Sequence, residues 1–209
     1  MSALLSSGAD WYLMRGTGTV SLLLLTLVVA LGIASVNRFG PGRLPRFVTT
    51  ALHRSVSLLS VVFLTVHVVT AVLDPYAAVT ALSIVVPFAP SRYPVWLGLG
   101  ALGLDLIAAL VVTSLLRRHL PPRLWRGVHW LAYAAWPVAL LHGAGIGSDS
   151  AAAWLIAIDV ACAGLVALAL AWRIRVRLLA PPPAKHLAAR PEVLPGRSPA
   201  RRTRAEVAA

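Results

Sequence analysis

Leu52-His53-Arg54 through Val66-His67-Val68, and Val128-His129-Trp130 through Leu141-His142-Gly143, are the stretches on which the fold turns. Both are apolar runs with a histidine near each end. Fourteen positions separate His53 from His67, and thirteen separate His129 from His142. On a helix rising about 1.5 Å per residue each pair spans roughly 20 Å, most of a hydrocarbon core about 30 Å thick. Each helix therefore presents one imidazole near each membrane face, and two such helices side by side present two facing pairs. The phase favours one helix over the other. Fourteen steps of about 100° fall roughly 40° short of four turns, so His53 and His67 share a face. Thirteen steps fall roughly 140° short, so His129 and His142 share one only if the helix is rewound. Pro137 lies between them and supplies a reason for a kink or local rewinding.

Two axial nitrogens on a planar iron macrocycle hold haem, so His53, His67, His129 and His142 are the candidate metal ligands. The competing reading is of histidines bonded to polar partners in a helix bundle. Ionisable residues within membrane segments are costly and tend to be functional, and four in matched pairs weigh against a purely packing role.

The composition bounds the class. The 209 residues are 58% hydrophobic and 12% charged, against about 25% charged in a soluble domain. The expectation is an all-α integral membrane bundle. The net charge of +12 lies in loop and tail arginines, which the positive-inside rule explains without nucleic acid. Cys162 is the single cysteine, so no disulfide framework or iron–sulfur site can be built within one chain.

Taken in order, residues 1–10 read as an external tail. Span one covers 11–36, opened by Trp11 and Tyr12 at interface depth, and is read as retained rather than cleaved. Arg15 near its start either snorkels, the default, or pairs with a haem propionate. The loop 37–47 carries Arg38, Arg43 and Arg46; span two covers 48–73. Segment 74–93 has an apolar stretch too short to span, broken by Pro87, Pro90 and Pro94, and reads as a re-entrant or interfacial piece expected to cap the outer haem. Span three covers 94–116. Its Gly98-Leu99-Gly100-Ala101-Leu102-Gly103 matches the dinucleotide-binding glycine pattern but lacks the strand and βαβ unit, so it reads instead as close helix approach. Spans four and five cover 125–143 and 151–172, giving five. Asp105 and Asp159 read as buried acids in spans three and five, for proton handling or for structural hydrogen bonds. His119 falls in the arginine-rich loop and His186 in the basic, Pro-rich tail 178–209, which reads as disordered; neither belongs to the metal site.

The loops after spans one and three, and the tail, hold Arg38, Arg43, Arg46, Arg117, Arg118, Arg123, Arg173, Arg175 and Arg177; Arg15 and Arg92 lie on the other side. The first set is expected in the cytoplasm, with the N-terminus outside the cell membrane and the C-terminus inside. His53 and His129 then form an inner pair, and His67 and His142 an outer one. Arg54 and Arg126 become candidates for the inner propionates, snorkelling being the bland alternative.

The histidine spacings, with Trp11-Tyr12-Leu13, Arg15-Gly16-Thr17-Gly18, Leu52-His53-Arg54, Leu73-Asp74-Pro75-Tyr76, Trp125 through Tyr133 and Leu141-His142-Gly143, resemble the ferric reductase-like transmembrane family over residues 11–177. That family includes ferric reductases and the membrane part of NADPH oxidases. The resemblance implies that the four histidines are axial ligands of two stacked b-type haems. It implies a conduit passing electrons from a cytoplasmic or quinol donor to an external acceptor. The tail is too short for the flavin- and nicotinamide-binding region of full-length members, so no FAD or NAD(P) site is expected. As an oxidoreductase component the chain then needs a separate reductase, or quinol, as donor. Two competing readings are a non-enzymatic haem-binding anchor or sensor subunit for a partner, and a structural membrane protein without haem.

Overall fold

Seven helices account for the computed structural model, which describes residues 2–36, 45–74, 77, 79–89, 92–146 and 149–179. They are α1 (Ser2–Val36), α2 (Arg46–Leu73), α3 (Ala81–Val85), α4 (Pro94–Leu115), α5 (Pro122–His129), α6 (Ala132–Gly145) and α7 (Ala153–Leu179), and no strand occurs among the described residues. Arg38, Arg43, His186 and the tail beyond residue 179 lie outside the described residues.

The distribution of side chains is inverted relative to a water-soluble bundle. Leu58, Val62 and Val69 of α2 and Val160 and Leu168 of α7 are exposed, while Thr17, Ser21, Thr26, Ser60 and Thr70 are buried. The buried hydroxyls are satisfied within their own helices: Thr17 donates to Leu13 O, Ser21 to Thr17 O, Thr26 to Leu22 O and Thr70 to Val66 O. Apolar surfaces facing out and small polar residues between helices are what a lipid solvent selects. Four helices are long and apolar enough to cross a membrane: α1 from Asp10 to Ser35, α2 from Phe47, α4 and α7.

The expected fourth span is divided. Its residues fall into α5 and α6, separated at Trp130 and Leu131. The chain does not leave the helical region there; it tightens. Leu131 N bonds Val128 O at 2.9 Å, Tyr133 N bonds Trp130 O at 3.1 Å and Ala134 N bonds Leu131 O at 2.9 Å, all three-residue closures. Pro137 is the physical reason at hand, since it has no N–H for the Tyr133 carbonyl and crowds it. A tightened step advances about 120° instead of 100°. Five such steps from His129 to Ala134 would recover about 100° of the 140° deficit, leaving about the same 40° offset as in α2.

α1 lies along α2 and α4 along α6, with α1 also touching α6. Gly18 meets His67 and Gly32 meets His53, so α1 and α2 are antiparallel. α7 joins through Cys162 and Val166, which pack with Leu22 of α1 and Trp136 of α6. Trp136 Nε1 also donates to Thr26 Oγ1 at 2.9 Å across α6 and α1. Segment 74–93 contains α3, its start capped by reciprocal Thr80 and Ser83 bonds.

Several sequence expectations are corrected. Residues 2–10 of the expected tail 1–10 are helical, as the beginning of α1. Arg15 has protein partners that the sequence did not show: it is half-buried, ion-paired with Asp149, and donates to Ile146 O at 2.9 Å. Asp105 is exposed on α4, not buried. It lies two positions from both Gly103 and Ile107, which face inward, so it sits about 200° round the helix from each. Arg173 is not a solvated tail residue; α7 continues through it and buries it, while Arg175 and Arg177 stay exposed.

Candidate haem-binding site

Two pairs of imidazoles face each other between α2 and the α5–α6 segment. The His53 and His129 rings lie 6.3 Å apart between centroids, at 71°. The His67 and His142 rings lie 6.4 Å apart, at 73°. Metal–imidazole bonds are about 2 Å and a ring nitrogen lies about 1.1 Å from its centroid, so two rings sharing one metal sit about 6 Å apart. Both pairs match that separation.

Three of the four rings are seated by one device. His67 Nδ1 lies 2.9 Å from Met14 O, and a Cβ at Gly18 would fall 2.9 Å from its Cε1. His53 Nδ1 lies 3.1 Å from Val28 O, against Gly32. His142 Nδ1 lies 2.7 Å from Trp96 O, against Gly100. In each case the ring rests where a glycine removes the side chain and bonds the carbonyl four residues earlier on the same helix. A carbonyl only accepts, so each Nδ1 carries the proton and the Nε2 lone pair is left free. A ring N–H held by a backbone carbonyl is the usual outer support of a metal-ligating histidine.

His129 is held differently. Its ring stacks on Trp125 at 5.0 Å and 20°, and the Arg117 guanidinium lies over the Trp125 ring at 4.2 Å. His129 Nδ1 and Trp125 Nε1 are buried with no hydrogen-bond partner among the described residues. Two unpartnered buried nitrogens beside a facing pair call for a partner from beyond the described residues.

A cavity of about 510 Å³ lies at the His67–His142 pair, lined by Met14, Gly18, Gly100, Trp96 and Asp159, and by Ala77, Val79, Ser83 and Ile84. This volume lies within the range of cofactor sites, about 300–1,000 Å³. Residues of segment 74–93 thus line the cavity at this end. Phe88, in the left-handed region at φ 62°, places its ring over Gly98, where a side chain would have no room.

The glycine run of α4 accordingly serves close approach: Gly98 admits Phe88, Gly100 admits His142 and Gly103 faces Val138. The sequence held a further signal. Gly18 and Gly32 are fourteen apart, the same interval as His53 and His67, as an antiparallel neighbour requires.

The arginines named from sequence are placed as follows. Arg54 is exposed, in a shallow hollow with Phe47, Thr50, Ala51 and Ser55. Arg126 is exposed, its Nε donating to Pro122 O at 3.1 Å. Arg15 lines the cavity but is committed to Asp149 and Ile146. His119 is exposed. No cluster of three or more His, Cys, Asp or Glu residues that could hold a bare metal ion occurs among the described residues; the histidines come in twos.

The fold and site define a helical membrane protein with paired histidines between its helices. The model of the ferric reductase like transmembrane component matches residues 17–140, well over half the chain, and the chain belongs to that family. The match contains His53, His67 and His129 and ends two residues before His142. Domains of this family usually bind haem. No curated protein matches the chain, and no solved structure does.

Proposed function

We propose that the chain is a di-haem b-type electron-transfer protein of the cell membrane. Its four histidines are the axial ligands: His53 with His129 at the arginine-rich end, His67 with His142 at the other. The observation that carries this is the pair of ring separations, 6.3 and 6.4 Å, each of the size a shared metal requires. Bound there, haem supplies one-electron chemistry at two depths, making a relay across the bilayer. The protein fixes ring position, tautomer and exclusion of water. The Met14, Val28 and Trp96 carbonyls hold three imidazoles with Nε2 free, and Trp125 backs the fourth.

The α5–α6 segment is the fifth crossing of the membrane. Its two helices run from Pro122 to Gly145 through the tightened turn, a length of roughly 36 Å at 1.5 Å per residue. Exposed Arg117, Arg118, Arg123, Arg175 and Arg177 gather at the ends of α4 and α7 and the start of α5, which the positive-inside rule places in the cytoplasm. A separate flavin- or nicotinamide-dependent reductase, or quinol, donates the electrons, and an acceptor outside takes them. The test is haem quantitation with a reduced-minus-oxidised spectrum on purified protein. Two haems per chain with low-spin, bis-histidine spectra are expected; a protein that folds and inserts without haem refutes the reading.

A further inference from the structure

Arg173 is the one basic side chain buried deeply enough to be 9% exposed among the described residues, and it has no carboxylate there. The ion pair found among those residues is Arg15 with Asp149. Arg173 Nη1 donates to Tyr133 Oη at 2.6 Å, and its guanidinium lies 5.8 Å from the Trp130 ring centroid. A guanidinium carries five N–H donors, and a phenol oxygen leaves its charge uncompensated. Removing a charge from water without a counter-charge is strongly unfavourable.

Its position says which anion completes it. Trp130 and Tyr133 stand one and four residues after His129, so the guanidinium lies within about one helical turn of that histidine along the segment. The register of α7 agrees. Asp159 lines the cavity of the other pair. Arg173 lies fourteen residues further on, the same interval as His53 and His67, hence on nearly the same face and roughly 20 Å deeper. Arg54 and Arg126, the candidates nearest in sequence, are exposed.

We infer that Arg173, oriented by Tyr133, is the cation that binds a propionate carboxylate of the haem held by His53 and His129. This rests on the di-haem reading. A cation there favours the reduced centre, because the added electron feels the positive charge, and a fork of donors matches a carboxylate better than an ammonium does.

The experiment is a redox titration of the purified holoprotein, with the His53 centre identified as the one missing in His53→Ala. Arg173→Gln should lower the reduced-to-oxidised ratio of that centre about tenfold at fixed potential, about 59 mV for one electron, and leave the other centre alone. Arg173→Lys should restore most of the ratio. Tyr133→Phe, which keeps the charge but frees the fork, should shift the same centre in the same direction by less. Arg173→Gln should also weaken retention of that haem, and in apoprotein reconstituted with haem dimethyl ester, which has no free carboxylate, Arg173→Gln should leave retention unchanged. An equal loss of retention in the ester-loaded protein, as a lipid phosphate partner would give, overturns the inference, as does a redox shift confined to the His67 centre. Absence of haem from the parent protein refutes the di-haem reading itself, and is read before any variant is made.

Discussion

Replacing Gly100 by alanine places a methyl group 2.6 Å from His142 Cε1 and 2.8 Å from its Nδ1. The helix itself benefits, since alanine is better than glycine in a helix interior by about 1 kcal/mol. The imidazole, as the movable end of its side chain, swings away. It then leaves the Trp96 carbonyl, now 2.7 Å distant, losing a hydrogen bond worth about 0.5–1.5 kcal/mol net. These terms nearly cancel, so global stability should change by less than about 1 kcal/mol. Haem binding has no such compensation, because the ring leaves its pairing with His67 at 6.4 Å. Misplacing a packed group costs about 1–3 kcal/mol, which is about five- to 150-fold in affinity at that centre. Gly32→Ala is the control: its methyl would lie 3.5 Å from His53 Cε1, ordinary contact, so haem stays and the helix gains up to about 1 kcal/mol. Gly18→Ala, at 2.9 Å from His67 Cε1, should fall between. Haem per protein and thermal unfolding, measured together in detergent, separate the two effects. Equal haem retention in Gly100→Ala and Gly32→Ala would refute the seating of histidines by glycines.

The four histidine variants should sort by depth: His67→Ala and His142→Ala each keep the other centre and about half the haem, as do His53→Ala and His129→Ala, while His119→Ala matches the parent; a spectrum for each variant decides, and any other grouping sinks the pairing. Thr26→Val strands the Trp136 indole N–H, now bonded at 2.9 Å, and should cost about 1–3 kcal/mol in denaturant unfolding, whereas Thr113→Val, whose hydroxyl bonds its own helix at Ala109 O, should cost far less; equal losses would contradict the packing of α6 on α1. A double-mutant cycle on Arg15→Gln and Asp149→Asn should give a coupling above the 0.2–1 kcal/mol or so of exposed ion pairs, and additive singles would show that the pair does not close the α1 end. With Cys162→Ala as background, cysteines at Ser6 and Ser198 should label from opposite sides of sealed vesicles; labelling from one side removes the proposed topology.

The sequence alone determined the class of the protein and singled out the four histidines that the structure brings into facing pairs. Apolar runs about as long as a bilayer is thick, separated by arginine and proline, can satisfy their backbone only as helices. A spacing of fourteen fixed His53 and His67 to one face by arithmetic. Even the rejection of the α4 glycines as a nucleotide site was legible, because local context excluded it. What the sequence could not carry were contacts between distant segments. Whether His129 comes into phase with His142 depends on how Pro137 is accommodated, and only the three-dimensional chain shows tightening rather than a break. Arg15, Asp105 and Arg173 look alike as charges in apolar text. One is paired with Asp149, one faces outward and one is buried against Tyr133. A charge's role is set by the partner that compensates it, and that partner is supplied by whichever helix folding brings alongside.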